Sequence, residues 1–324
     1  MKRQNKILQV LDPSHETWVQ GGVFLDLRNA NQGMFKGPIY LGSAPKNLRI
    51  LVWYAKKIYI SFHKKVIFSS LTPAENYLKF FYNFNRQCKF VVWYTHLDHD
   101  YTQSELRVLT HAHAALVHSS SEKQRLEKKF PNLKIIKILG AIEKSRFKVE
   151  AARGSKIVWV GTSHKRKRLD ILLLIIDKLP SYNFLIIGKD WPKDLIEKLI
   201  ATKTNVKYHE IEGPLTSSSF DGCNIFIMTS DIEGGPMPLF EAVASGLSPI
   251  SRNTGFARDI FEIIGSQDFL ITTNEDAESI SESFVNRIKT FNQSQTPMLI
   301  GQAREKLLEF DFIKLTKLID TAFM

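Results

Sequence analysis

Cysteine is almost missing from this sequence: its 324 residues include only Cys88 and Cys223. Two thiols so far apart exclude a disulfide framework and a cysteine-built metal site, and both are expected to be small buried hydrophobes. Long apolar runs are missing too. No stretch of about 18 apolar residues is available to span a bilayer, so an integral membrane protein is not expected. The opening MKRQNKILQVLD has basic residues, but Gln9 breaks its apolar run and Asp12 stops it. That is too short and too polar for a secretory signal. A cytoplasmic chain is expected, at most peripheral at the inner face of a membrane.

Acidic residues are scarce in one half only. Residues 1–152 carry 24 lysines and arginines against 11 acidic side chains, a balance of +13, whereas residues 153–324 carry 20 against 22, or −2. The whole formal charge of +11 therefore sits in the first half. Such asymmetry suggests an anionic partner: a membrane surface or an anionic, pyrophosphate-linked acceptor. The other reading is a basic but merely soluble surface. Nucleic acid is not expected, because no recognisable nucleic-acid-binding motif accompanies the charge.

What is present is ordinary for a globular protein, with 44% hydrophobic and 24% charged residues. The length suits two domains, each able to bury a core. A polar break, KVEAARGSK at 148–156, separates an N-terminal domain, 1–152, from a C-terminal one, 153–324, whose last helix is a candidate to pack back on the first. Short apolar runs alternate with helical patterns in both halves. ILQVL, PIYLGS, KKVIFSS, CKFVVWYT and AALVHSS read as strands of the first half, and KIVWVG, NFLIIG, VKYHEI and NIFIM as strands of the second. This alternation predicts α/β architecture, two doubly wound parallel sheets of Rossmann-like type facing a central cleft.

The most informative stretch runs from Thr229 to Ile250, TSDIEGGPMPLFEAVASGLSPI. A strand ends before it, Gly234, Gly235 and Pro236 make a turn, and PLFEAVASG reads as a helix ending at Gly246. The first N–H groups of a helix lack internal partners and sit at its positive end, so such a turn suits a phosphate or sugar hydroxyls. Glu233 falls in the turn and Glu241 in the first helical turn. In the first half, the Gly21-Gly22 pair ahead of a helical pattern would let backbone approach a ligand. His96 follows a strand end, where open α/β sheets bind ligands. The surrounding His96, Asp98, His99 and Asp100 lack the spacing of a metal site, so no metal is expected. Asn47 to His63 interleaves lysines with aromatics and reads either as a helix resting on an anionic membrane or as one with solvated lysines.

Taken together these strings resemble the retaining glycosyltransferases of the GT-B fold, family 4 type, with their Glu-x7-Glu motif. EGGPMPLFEAVASG carries the signature, joined in order by YTHLD, LGAIEKSRF, VGTSHKRKRLD and LIIGKD. The resemblance implies a GT-B fold and transfer of a sugar, with retention, from a UDP- or GDP-linked donor. The implied acceptor is a saccharide or lipid-linked molecule in cell-surface polysaccharide or glycolipid synthesis. It implies neither cofactor nor metal. Lys167 matches the phosphate-binding lysine, while the family's arginine after Gly161 is replaced by Thr162, leaving Arg166 or Arg168 to supply the cation. Glu241 matches the residue that accepts from ribose hydroxyls, and Glu233 the one that orients the sugar. The backbone of Gly234, Gly235, Pro236 and Met237, with Gly161 and Gly188, completes the donor site. Gly21, Gly22 and His96 match groups that the first domain brings to the donor. A non-catalytic sugar-nucleotide-binding module and a GT-B sugar-nucleotide epimerase are the competing readings.

Overall fold

The computed structural model describes residues 6–13, 19–41, 49–81, 88–94, 101–148, 154–211, 213–273, 275–290 and 296–324. The chain forms two compact units, Met1–Ala141 with Asp311–Met324, and Ile142–Phe310. The division falls between Ala141 and Ile142 rather than after residue 152, because the residues just beyond Ala141 bond into the second unit. The Ile142 N–H donates to the Phe310 carbonyl, and the Arg304 guanidinium donates to the carbonyls of Phe147, Lys148 and Ala244.

The first unit is built from β1 (Ile7–Leu11), α1 (Val19–Ala30), β2 (Phe35–Tyr40), α2 (Arg49–Ser61), β3 (Lys65–Phe68), α3 (Leu71–Phe81), β4 (Lys89–Trp93), α4 (Gln103–His111), β5 (Ala114–Val117), α5 (Ser120–Lys129) and β6 (Lys134–Lys137). All pairings are parallel, in the order β2-β1-β3-β4-β5-β6. Side chains alternate along each strand, and both faces are buried. Leu8, Val10, Phe90, Val92, Ala115 and Val117 enter one core. Ile7, Leu11, Val91, Trp93, Ala114 and Leu116 enter the other. The second core is completed by the last helix of the chain, through Phe312, Leu315, Ile319 and Phe323. Local capping agrees with the residues: Thr102 and Glu105 exchange both bonds of a capping box at α4, and Ser119 caps α5.

The second unit runs β7 (Lys156–Thr162), α6 (Leu169–Lys178), β8 (Phe184–Lys189), α7 (Lys193–Thr202), β9 (Val206–Glu210), β10 (Cys223–Met228), α8 (Met237–Ala244), β11 (Ser248–Arg252), α9 (Ala257–Ile264), β12 (Leu270–Ile271), α10 (Ala277–Lys289) and α11 (Thr296–Leu308). The final helix, α12 (Phe312–Thr321), returns the chain to the first unit. The second sheet is also parallel, ordered β12-β11-β10-β7-β8-β9. Counted from β7, this is the dinucleotide-binding strand order, and its reversal lies between β7 and β10. Ligands of open α/β sheets bind beyond the carboxyl ends of the strands at that reversal. The fold is thus a pair of Rossmann-like domains, the GT-B arrangement of elements.

Two expectations shift in register. The first helix starts at Val19, so Gly21 and Gly22 lie in its first turn and not in a loop before it. α8 starts at Met237, which places Glu241 one full turn into the helix instead of in its first turn.

Candidate functional site

At the reversal, the loop after β7 is fastened to the loop after β10. Lys165–Lys167 form a single 3-10 turn, and Arg168 follows in the left-handed region at φ 54°. Thr229 Oγ1 donates to the Lys167 carbonyl at 2.7 Å and accepts from Trp159 Nε1 at 3.0 Å. The Asp231 N–H donates to the Arg166 carbonyl at 2.9 Å, and Arg166 Nη1 donates to the Ile232 carbonyl at 3.0 Å. These bonds give the basic run KRKR a fixed geometry, so it is not a solvated charge run.

Glu233 is the focus. Its carboxylate accepts from Lys167 Nζ at 2.5 Å on one oxygen and from Arg166 Nη1 at 2.7 Å on the other. The residue is 9% exposed. Burial alone would raise its pKa, but the Lys167 and Arg166 charges outweigh that and hold it below the usual carboxylate range. Arg168 is engaged elsewhere, donating to both oxygens of Asp170 and of Asp231, and Asp231 also pairs with Arg252. Of the two candidates for the cation missing at Thr162, Arg166 is therefore the one that joins Lys167. Two cations face one carboxylate at Glu233, leaving one positive charge in excess, while Arg168 and Arg252 are matched by Asp170 and Asp231.

The turn from Glu233 to Pro236 is braced from the loop after β11. The Glu233 N–H donates to Thr254 Oγ1 at 2.9 Å. Gly255 has φ +56°, and a Cβ there would lie 2.7 Å from Pro236 Cδ and 2.9 Å from the Glu233 carbonyl oxygen. Only glycine fits. Met237 N–H donates back to the Gly235 carbonyl at 2.8 Å, so this amide is not directed outward, contrary to the expectation for Met237. Pro236 and Pro238 have no N–H, which leaves the amides of Gly234 and Gly235 as the remaining donors of the turn, neither bonded to another described backbone carbonyl.

Glu241 presents the opposite chemistry. No described side chain or amide donates to its carboxylate, and burial pushes its pKa up to about 7, with Arg146 only partly offsetting the effect. It is a half-buried acceptor with no hydrogen-bond donor among the described residues. An open depression of about 750 Å³ lies at the basic turn after β7, lined by Ser163, His164, Arg166, Arg168, Asp231 and Ile232 among others.

Gly161 and Gly188 stand side by side on β7 and β8, and packing beneath them explains both residues. A Cβ on Gly161 would lie 2.8 Å from the Trp159 ring, and one on Gly188 would lie 2.4 Å from the Tyr208 ring. Trp159, Trp191 and Tyr208 form a ladder with centroids 5.8 and 5.3 Å apart, and Trp191 Nε1 donates to the Gly161 carbonyl. Thr162 ends β7, half-buried. His96, Asp98, His99 and Asp100 lie outside the described residues, so the structure does not place His96. Gly21 and Gly22 belong to the first unit, in α1. Thr229, Asp231, Arg252 and Thr254 are site residues that sequence reasoning missed. The only signal was the nearness of Thr229 and Asp231 to the Glu233 turn.

Residues 141–292 match the family described as glycosyl transferases group 1. Over 160 residues the chain is 27% identical to the sulfoquinovosyl transferase SQD2 of Arabidopsis thaliana, a match that covers 48% of this chain and 30% of that protein. The chain thus spans about a third of that relative's length. Among solved structures, HepE of Anabaena in complex with UDP and glucose shares the fold with a TM-score of 0.70 at 14% identity, covering 98% of this chain and 99% of that one. A sucrose-phosphate synthase of Thermosynechococcus elongatus does so with a TM-score of 0.74 at 13% identity and 98% coverage of both chains. The match to glycosyl transferases group 1 thus falls on residues 141–292, under half of the chain, within a chain of two Rossmann-like units.

Proposed function

We propose that this protein is a retaining, metal-independent glycosyltransferase of the family 4 type, which moves a sugar from a UDP- or GDP-linked donor to a saccharide or lipid-linked acceptor. The observation that carries the reading is the Lys167–Glu233–Arg166 cluster at the strand reversal, with its excess positive charge and the Glu241 carboxylate on the helix that follows its turn. A nucleotide-sugar has complementary needs. Its diphosphate requires cations, which Lys167 and Arg166 supply, together with the amides of Gly234 and Gly235. Its ribose hydroxyls require an acceptor-only group, which is Glu241 once ionised. Glu233 orients the transferred sugar, and His96 is assigned to that sugar by resemblance to the family alone.

In the reaction, the bond from the anomeric carbon to the diphosphate oxygen breaks while the acceptor hydroxyl oxygen bonds to the same face of that carbon. The hydroxyl proton passes to the departing phosphate oxygen, and a nucleoside diphosphate leaves. No enzyme nucleophile is required, so the contribution of the side chains is positioning and charge stabilisation. Acceptors from polysaccharide or glycolipid synthesis fit the basic first unit. HepE was crystallised with UDP and glucose, which supports a nucleotide-sugar here.

A thermal-shift panel of UDP, GDP and their sugar conjugates, followed by assay of released nucleoside diphosphate, tests the proposal. One nucleoside diphosphate is expected to raise the melting temperature, and its sugar conjugate to be turned over. Stabilisation without release would support the non-catalytic binding module instead, and no stabilisation by any nucleotide would overturn both readings.

A further inference from the structure

The outward side of α2 is unlike the rest of the described surface. Trp53 and Ile60, 6% and 0% exposed, anchor the helix in the core of the first unit. Leu51, Ala55, Ile58 and Phe62 fall at intervals of four, three and four residues, which puts them on one helical face, and Val52 and Tyr59 widen it. These side chains face solvent: Leu51 is 67%, Val52 58%, Ile58 45% and Phe62 80% exposed. At about 1.5 Å per residue the row is roughly 16 Å long. Scattered apolar residues are normal on a soluble surface, but a continuous row marks a contact site.

The charge around the row has one sign. Between Asp26 and Glu75 the chain has eight lysines and arginines and no aspartate or glutamate. Lys56 is held at the Tyr40 carbonyl and Lys65 at Asp320, whereas Lys36 and Lys64 are exposed. The Lys36 ammonium sits 4.9 Å above the Tyr59 ring, at the margin of the apolar row. Apolar and aromatic side chains flanked by lysines match the interface of an anionic bilayer, where the row enters the acyl boundary and the ammonium groups meet headgroup phosphates. A second copy of the chain is a poor occupant, because it would set one lysine-flanked row against another.

We propose that α2 is the docking surface by which this protein binds an anionic lipid bilayer, with Leu51, Ile58 and Phe62 inserted and Lys36 and Lys64 on the headgroups. The inference goes beyond the donor reading and stands whether or not that reading holds. Co-sedimentation with phosphatidylcholine vesicles, with and without phosphatidylglycerol, tests it directly. The whole chain is expected to bind the anionic vesicles and to be only partly released by salt, while zwitterionic vesicles bind at least tenfold less. Leu51→Ser/Phe62→Ser should weaken anionic-vesicle binding by about tenfold or more, and Lys36→Glu/Lys64→Glu by a comparable factor. Both pairs lie on the exposed surface, so an unchanged melting temperature verifies that the variants fold. A Phe62→Trp variant should shift its emission to shorter wavelength on the same vesicles. Absence of vesicle binding at low salt, equal binding by wild type and Leu51→Ser/Phe62→Ser, or an unshifted emission overturns the proposal. So does a concentration-dependent dimer, abolished by Leu51→Ser/Phe62→Ser, in a protein that ignores vesicles.

Discussion

The two units share an architecture and differ in how they use charge. Each has a six-stranded parallel sheet, buried on both faces and wound with helices. In the second unit, basic and acidic side chains are nearly balanced, and those at the strand reversal are drawn inward and paired: Lys167 and Arg166 on Glu233, Arg168 and Arg252 on Asp231. In the first, a long acid-free segment leaves lysines exposed beside an apolar row. Paired, partly buried charge is strong at short range and resists salt. Unpaired surface charge acts over about a Debye length and is screened. One fold thus supports a small rigid ion site in one unit and a broad, weakly selective surface in the other.

The sharpest way to break this contrast is Glu233→Gln. It leaves two cations facing a neutral amide, and turnover should fall by about 10²–10³-fold. Steady-state release of nucleoside diphosphate measures it, and near-normal turnover would remove the second unit's claim to the chemistry. Next comes a pair of arginines. Arg166→Ala should weaken nucleoside diphosphate binding by about tenfold or more, since it deletes a charge-assisted bond. Arg168→Ala should change it by less than about threefold, because Asp170 and Asp231 already hold that side chain. Calorimetry on both variants decides, and a reversed order would mean that Arg168 turns from its aspartates to the phosphates.

A smaller effect follows from Glu241. Its folded-state pKa of about 7 lies above the ordinary 4.5, so its ionisation opposes folding and stability declines as pH rises through that interval. In the proposed role ribose hydroxyls would donate to the ionised form, so nucleotide affinity should move the other way, rising about tenfold between about pH 6 and pH 8. The rise should vanish in Glu241→Gln. Glu233, held low by its cations, contributes nothing in that window, since its own stabilisation is lost only as pH falls through its depressed pKa. The smallest effect is expected from the other unit: Lys36→Glu/Lys64→Glu should leave nucleotide affinity within about twofold, as exposed substitutions of this kind usually do.

Much of the fold was legible because its strands are short apolar runs with bounded ends and its helices carry recognisable caps, Thr102 and Ser119 among them. The strand β11 was not, for a physical reason. SPISR contains a proline, two serines and an arginine, yet all five residues are buried, and the Ser251 hydroxyl bonds the Arg252 carbonyl. Tertiary partners, not periodicity, make it a strand. The same holds for the site. Glu233 stood out by its place in the glycine turn, and Lys167 and the basic run by resemblance to the family, but Asp231, Arg252 and Thr254 matter only as partners of residues distant in sequence. The exposed row on α2 was half legible: its lysines and aromatics were visible, and which of them faced outward was a matter of packing.

The return of α12 to the first unit has a consequence for synthesis. Residues 142–310 are continuous and can fold once they emerge, whereas one core of the first unit lacks Phe312, Leu315, Ile319 and Phe323 until the segment after residue 310 follows. Of the two units, the one begun first is closed last, when α12 reaches the sheet face opposite the core that holds α2.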